Sequence, residues 1–403
     1  MSVQLNEICE LIVDCPHSTA ADEGAGYPLI RTPNIGPGYF NLEGVHRISK
    51  AAYDKRNLRA VPQPNDLILA REAPAGNVAI IPEGAEFCLG QRTVLIRPDA
   101  SKVYPLFLNY YLNAPEQRHK LLRNANGATV SHVNMPIIRN LLVDLPPVEE
   151  QKRIASILGA YDALIENNRK QIKLLEEAAQ RLYKESFVDL RFPGHEDVEI
   201  DPETGLPKGW ITRSIEQLCL RVQSGSTPSR KNANFWNRND HKWFKTAELE
   251  DHWLIQSEEH ISQEALEETS VKVFPANSVL MAIYASPTLG RLGLLSESAT
   301  FNQAALGFVA DESLITKEWL FHKLLELRPK FNSIARGAGQ QNISGEIVKK
   351  YEVIVPEADL ILRYTNHARP MFEEMLRIQK LNSFLAEARD HLLPKLMEGE
   401  VEL

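Results

Sequence analysis

The sequence predicts an α+β fold of two tandem, pseudo-repeated globular units, each followed by a long α-helix. Two observations carry this. An apolar stripe runs without proline from Glu149 to Leu190, with Gly159 its single glycine. In addition, the chain matches itself when displaced by about 210 positions.

The central stripe is a helix by its spacing. Pro146 and Pro147 stop the preceding segment; Ile154, Ile157/Leu158, Tyr161, Leu164/Ile165, Ile172, Leu175, Ala179 and Leu182 then recur at three- and four-residue steps. That near-heptad pattern is a coiled-coil seam. Glu149 and Glu150 suit the positive end of the helix dipole, and Phe192-Pro193-Gly194 ends the run. At about 1.5 Å per residue the rod is on the order of 60 Å long, the length of a spacer or docking platform. Candidate packing residues on it are Ile154, Leu158, Tyr161, Ile165, Asn168, Ile172, Leu175 and Leu182.

Its partner is found by displacement. Leu175, Ala178 and Leu182 fall on Leu385, Ala388 and Leu392, and upstream Val133, Ile137, Val143 and Pro146 fall on Ile343, Ile347, Val353 and Pro356. Further back the offset drifts, as small loop deletions would leave it: Pro64–Ala70 matches Ala276–Ala282, Ile48-Ser49 matches Ile261-Ser262, and Arg31-Thr32 matches Lys245-Thr246. The second rod offers Met371, Ile378, Leu381, Leu385 and Leu392 for packing. Asn168 falls in the first apolar row and could fix its register; the counterpart is Ile378. Pro370 lies opposite Ala160 and implies a kink or a later helix start. The expected bounds are 1–148 and 192–358 for the globular units, 149–191 and 359–403 for the helices.

A chain of 403 residues, 43% apolar, can bury two cores. No stretch reaches the length of a membrane span and no signal peptide precedes the polar start. Cys9, Cys15, Cys88 and Cys219 show no metal-type pairing, so a reduced cytoplasmic protein is expected; Cys15-Pro16-His17 reads as an ordinary loop. The net charge of −8 seems to oppose nucleic acid. Yet residues 1–148 carry 14 basic and 14 acidic groups and residues 207–356 carry 17 of each, so the excess acid lies with the rods. Neutral units can still hold basic faces.

In unit one, short apolar runs at Leu67–Ala70, Val78–Ile81 and Thr93–Ile96 read as strands, and Pro105–Leu112 as a helix. Basic residues gather around Arg47, Lys50, Lys55, Arg56 and Arg59, while Arg31, Asn34, Arg71, Asn77 and Arg92 lie at turns. In unit two, Arg221, Arg230, Lys231, Arg238, Lys242 and Lys245 face one acid, Asp240, amid Ser224, Ser226, Thr227, Ser229 and two tryptophans, Trp236 and Trp243. Such donors hold a phosphate backbone, and Arg, Lys, Asn and Gln read base edges. The tryptophans also suit the edge of a core. Candidate DNA-binding residues are Arg31, Asn34, Arg47, Lys50, Arg56, Arg71, Asn77, Arg92, Ser224, Thr227, Arg230, Lys231 and Lys245, with Gln340 and Gln341 from an amide-rich loop.

Leu206–Trp210, Ser224–Asn232, the paired signals at Pro146–Leu158 and Leu164–Asn168, and His391–Glu400 resemble the specificity (S) subunit of type I restriction-modification enzymes over essentially the whole chain. The resemblance implies that each globular unit is a target recognition domain reading one half of an interrupted double-stranded DNA site. It also implies that the two helices pack as an antiparallel coiled coil, hold the domains apart and dock two methyltransferase (M) subunits, with restriction (R) subunits joining. The methyltransferase would bring S-adenosylmethionine, the restriction subunit ATP and Mg, and this chain no cofactor or metal.

Catalytic motifs are missing. No glycine-rich cofactor loop with an Asn/Asp-Pro-Pro motif exists, Gly36-Pro37-Gly38 being only a turn, and no phosphate loop is present. Asp144 with Glu150-Gln151-Lys152 is not a nuclease set, because the latter three begin a helix. No catalytic residue is assigned. The competing reading, a coiled-coil scaffold for two partner proteins, explains the rods but leaves the basic loops without a purpose.

Overall fold

The uninterrupted apolar runs of the sequence become strands covered on both faces. The computed structural model describes residues 2–72, 74–123, 132–284, 288–335, 342–397 and 399–401. Two compact units emerge, one of residues 1–164 with 385–403, the other of residues 165–384.

Unit 1 contains β1 (Ser2–Gln4), β2 (Cys9–Asp14), β3 (Tyr27–Ile30), β4 (Arg47–Ile48), α1 (Lys50–Arg56), β5 (Leu67–Ala70), β6 (Val78–Ile80), β7 (Cys88–Leu89), β8 (Thr93–Pro98), α2 (Pro105–Asn113), α3 (Pro115–Arg123), α4 (Met135–Arg139), β9 (Leu142–Asp144) and the first part of α5 (Val148–Phe187). An antiparallel sheet runs β2-β8-β5-β6, beside a smaller β4-β3-β7 sheet and a β1-β9 pair. Leu67, Leu69, Val94 and Ile96 pack toward Phe107, Leu108, Ile154 and Leu158, and toward Leu393 and Leu396. From the opposite face Ile68, Leu95 and Ala79 pack with Ile30, Ile35 and Phe87. Burial on both faces removes the polar alternation that a half-solvated sheet would show.

Unit 2 contains the rest of α5, then β10 (Ile211–Ser214), β11 (Cys219–Ser224), β12 (His241–Phe244), β13 (His252–Leu254), β14 (Glu259–Ile261), α6 (Gln263–Glu268), β15 (Val279–Ala282), β16 (Leu292–Leu295), β17 (Thr300–Phe301), β18 (Ala305–Ala310), α7 (Lys317–Ile334), α8 (Gly345–Lys350), β19 (Glu352–Val355) and most of α9 (Ala358–Met397). Its sheets repeat the same orders, β11-β18-β15-β16 and β14-β12-β17, with β13 added parallel to β16. Registers repeat too. Asp14 pairs with Val94 as Ser224 with Leu306, and Ala70 with Thr93 as Ala282 with Ala305. The order of buried and exposed positions over 151–160 recurs over 361–370.

The long helices run antiparallel, low numbers of α5 against high numbers of α9. In unit 1, Tyr110 donates its hydroxyl to Asp162, which also pairs with Arg389. In unit 2, buried Asn168 donates Nδ2–H to Asn382 Oδ1 at 2.7 Å. Ile154, Leu158, Ile165 and Ile378 are buried; Tyr161, Ile172, Leu175, Leu182, Met371, Leu381, Leu385 and Leu392 are half-buried.

Three expectations need correction. The first helix stops at Phe187, not 191, where Leu190 adopts φ 55° and Gly194 φ 88°. The second is helical to Met397, and residues 399–401 lie outside it. Pro370 does not delay the start of the second, which is helical from Ala358 through Met397. One proline removes one backbone donor, and buried Ala368 and Phe372 anchor both flanks.

Candidate nucleic-acid interface

In each unit the strands of the larger sheet end together at one polar rim, set by the same backbone bonds. In unit 1, Arg71 N–H donates to Arg92 O at 2.8 Å and Val133 N–H to Arg71 O at 3.0 Å. In unit 2, Ile283 N–H donates to Ala304 O at 2.8 Å and Ile343 N–H to Ile283 O at 3.0 Å. Even a side-chain pair is shared: Thr19 donates to Gln91 and Thr227 to Gln303.

On this common frame unit 1 mounts charges. Arg71 donates to Asp14 at 2.6 Å and to His132 Nε2 at 2.8 Å, and His132 Nδ1 meets Glu72 at 2.9 Å. A ring protonated on Nδ1 satisfies both contacts. Glu72 also holds Arg92 Nε at 2.9 Å, and His17 lies 3.2 Å from Asp14. The matching positions of unit 2 carry Ser224, Ile283, Tyr284, Ala304 and Asn342, with Tyr284 exposed and bridged to Asn342 through the backbone.

Four residues expected to meet DNA in unit 1 are buried instead. Arg56 sends Nε and Nη2 to Leu89 O at 3.1 and 3.0 Å, and Nη1 to Ser18 O at 2.9 Å. Asn34 accepts from Arg31 N–H at 3.1 Å and donates to Asn41 O at 3.2 Å; Asn77 donates to Ile35 O at 2.9 Å. Arg71 is likewise enclosed, its Nε bonded to Val133 O at 2.9 Å. Enclosed and bonded to internal acceptors, these four side chains hold the frame. Arg31 and Arg47 are half-buried, Arg47 donating to Gly26 O at 2.8 Å. Lys50 stays exposed, paired with Asp54 at 2.6 Å and lying over the Tyr53 ring. Arg92 is the most open guanidinium of the rim, its side chain 61% exposed.

Unit 2 presents its basic stretch beside the smaller sheet. Trp243 is buried against Phe235 and Ile261, and Trp236 meets it edge-on. The Arg230 guanidinium lies 3.6 Å from the Trp236 ring centre and pairs with Glu259, whose carboxyl it holds below the usual range. Lys245 bridges Glu258 and Glu259 at 2.6 and 3.1 Å. Lys231 is exposed and makes no ion pair among the described residues; Ser224 is exposed and Thr227 half-buried. Gln340 and Gln341 lie outside the described residues. The acids beside these cations (Asp14, Glu72, Glu259), together with His132 and Gln303, carry no signal in the sequence, because each meets its partner only through the fold.

Burial raises the thiols of Cys9 and Cys219 to about 12 and that of Cys88 to about 11, which keeps them protonated; Cys15 Sγ accepts Arg92 N–H at 3.1 Å.

The family model for the type I restriction modification DNA specificity domain matches residues 1–177 and again 207–360, the two repeats in turn. The MjaIX type I restriction enzyme specificity subunit of Methanocaldococcus jannaschii is 27% identical over 376 residues, spanning 89% of this chain and 83% of that protein. The HindI specificity subunit of Haemophilus influenzae is 23% identical over 379 residues, spanning 78% and 81%. The crystal structure of a type I restriction-modification S subunit from M. genitalium superposes with a TM-score of 0.56 at 13% identity, over 98% of this chain and 95% of that one, a likeness of fold.

Proposed function

The chain belongs to the type I restriction-modification specificity family, whose members recognise DNA and do not catalyse, and from that premise we propose how it divides the work. Unit 1 reads one half of an interrupted duplex site and unit 2 the other. The long helices set the spacing between the half-sites and dock two methyltransferase subunits, which supply S-adenosylmethionine chemistry; restriction subunits add ATP- and Mg-dependent cleavage. One observation supports two distinct readers above all. The rims share backbone bonds and the side-chain pairs Thr19–Gln91 and Thr227–Gln303, yet the matching described positions carry a charged set in unit 1 and a neutral one in unit 2. A duplicated frame with exchanged side chains is what two different half-sites require.

The test is duplex binding by the chain assembled with its methyltransferase partner, titrated with salt. Phosphate contacts release counterions, so affinity falls by orders of magnitude between about 50 and 200 mM salt if six or more are made. Absent or salt-insensitive binding by an intact assembly would favour the protein scaffold instead.

A further inference from the structure

We infer that Arg92 reads a guanine in the half-site of unit 1, with Glu72 and His132 as its positioning residues; this rests on the reading of unit 1 as a DNA reader. Three features of Arg92 converge. Its backbone has φ 65°, a left-handed conformation that L side chains rarely adopt. The duplicated frame does not demand this: Ala304, at the same position and making the same backbone bond from its carbonyl, has no positive φ. The pairing with Glu72 is open to solvent on the Arg92 side, 61% exposed against 18% for Glu72, and is screened there. Strain that stability does not explain gathers where a side chain must be aimed.

The aiming is visible. Glu72 Oε2 is ion-paired with Arg92 Nε at 2.9 Å, and the guanidinium beyond it stands on a side chain 61% exposed, open to a ligand. Glu72 is itself fixed by His132 at 2.9 Å, His132 by Arg71 at 2.8 Å, and Arg71 by Asp14 at 2.6 Å and Val133 O at 2.9 Å. That chain ends in a guanidinium only 6% exposed, which gives the assembly a rigid foot. Two parallel N–H donors match the O6 and N7 acceptors that guanine alone presents together in the major groove. A phosphate would also accept them, but would not need so tightly fixed a direction. In unit 2 the corresponding positions, Ile283, Tyr284, Ala304 and Asn342, carry no cation, so its half-site is not read this way.

The experiment maps methylated sites genome-wide in cells expressing the chain with its methyltransferase partner, native against Arg92→Ala, Arg92→Lys and Glu72→Gln. Native complexes give a bipartite site with a guanine in the unit 1 half. Arg92→Ala relaxes that one position roughly tenfold to a hundredfold in base preference. Arg92→Lys relaxes it less, and Glu72→Gln relaxes the same position while leaving all others alone. The unit 2 half-site and the spacer stay unchanged throughout. If the native complex shows no bipartite site, the reading of unit 1 fails first. If that site is present, unaltered base preferences in Arg92→Ala overturn the inference alone. So does a uniform loss at every position in both Arg92 variants with unchanged melting, which marks a phosphate contact; lowered melting with unaltered preferences marks a structural ion pair.

Discussion

Replacing the imidazole of His322 tests how unit 2 holds its helices together. The imidazole is buried between α7 and the rods, stacked on Tyr183 at 5.3 Å and edge-on to Phe372 at 5.5 Å, with Tyr364 Oη 2.7 Å from Nδ1. Burial pushes its pKa from 6.5 down to about 4. Between those values the unfolded ring binds a proton that the folded ring refuses, so stability rises with pH across that window. It is fully present above about 6.5 and lost as pH falls toward 4. The linkage relation gives a loss of about 2 kcal/mol between pH 7 and 5, approaching about 3 kcal/mol below pH 4. Denaturant unfolding of the native chain and of His322→Phe over this range isolates the effect, because every other ionisable group, Glu318, Glu326 and Lys323 included, is present in both chains. The native-minus-variant difference should shift by about 2 kcal/mol from pH 7 to 5. A difference that stays flat would refute the buried neutral imidazole.

Other expectations follow from the same contacts. Asn168→Leu strands the Asn382 amide at a cost of about 1 kcal/mol, and adding Asn382→Leu restores it, a coupling that a double-mutant cycle by thermal or chemical unfolding reads directly. Arg56→Ala should cost about 2–3 kcal/mol in unfolding while leaving the salt slope of DNA binding alone; Lys231→Ala should flatten that slope by roughly one unit with stability unchanged. A fragment ending near Phe192 should self-associate, a second copy supplying Leu175–Phe187 where unit 1 uses Leu385–Met397. Its dimer lacks Arg389, replaced by Ala179, and sets Tyr183 in the place of buried Leu393. Ala179→Arg should therefore tighten the dimer in sedimentation, and a fragment monomeric at all concentrations would count against equivalent halves.

The duplication and the rods were legible because both rest on period: apolar steps of three and four, and an offset drifting from 214 to 210 that the registers reproduce. The extra strand β13 was not, since His252-Trp253-Leu254 is too short to carry a period. Nor was the sharing of each rod between two units, because Leu393 and Leu396 look alike whichever core they enter. Among candidate DNA contacts, charge was readable but its destination was not. Both Arg56, in the basic cluster, and Arg92, at a turn, read as candidate contacts, yet Arg56 meets the carbonyl of Leu89, distant in sequence, while Arg92 stays open. Only the fold decides which arginine finds an internal acceptor.

The most direct test of two unlike readers on one frame is to sequence the methylated positions left by the native chain with its methyltransferase partner. The account predicts a site of two different half-sites separated by unread base pairs, present only when this chain is expressed. A continuous site, two identical half-sites, or the same methylation without the chain would contradict it.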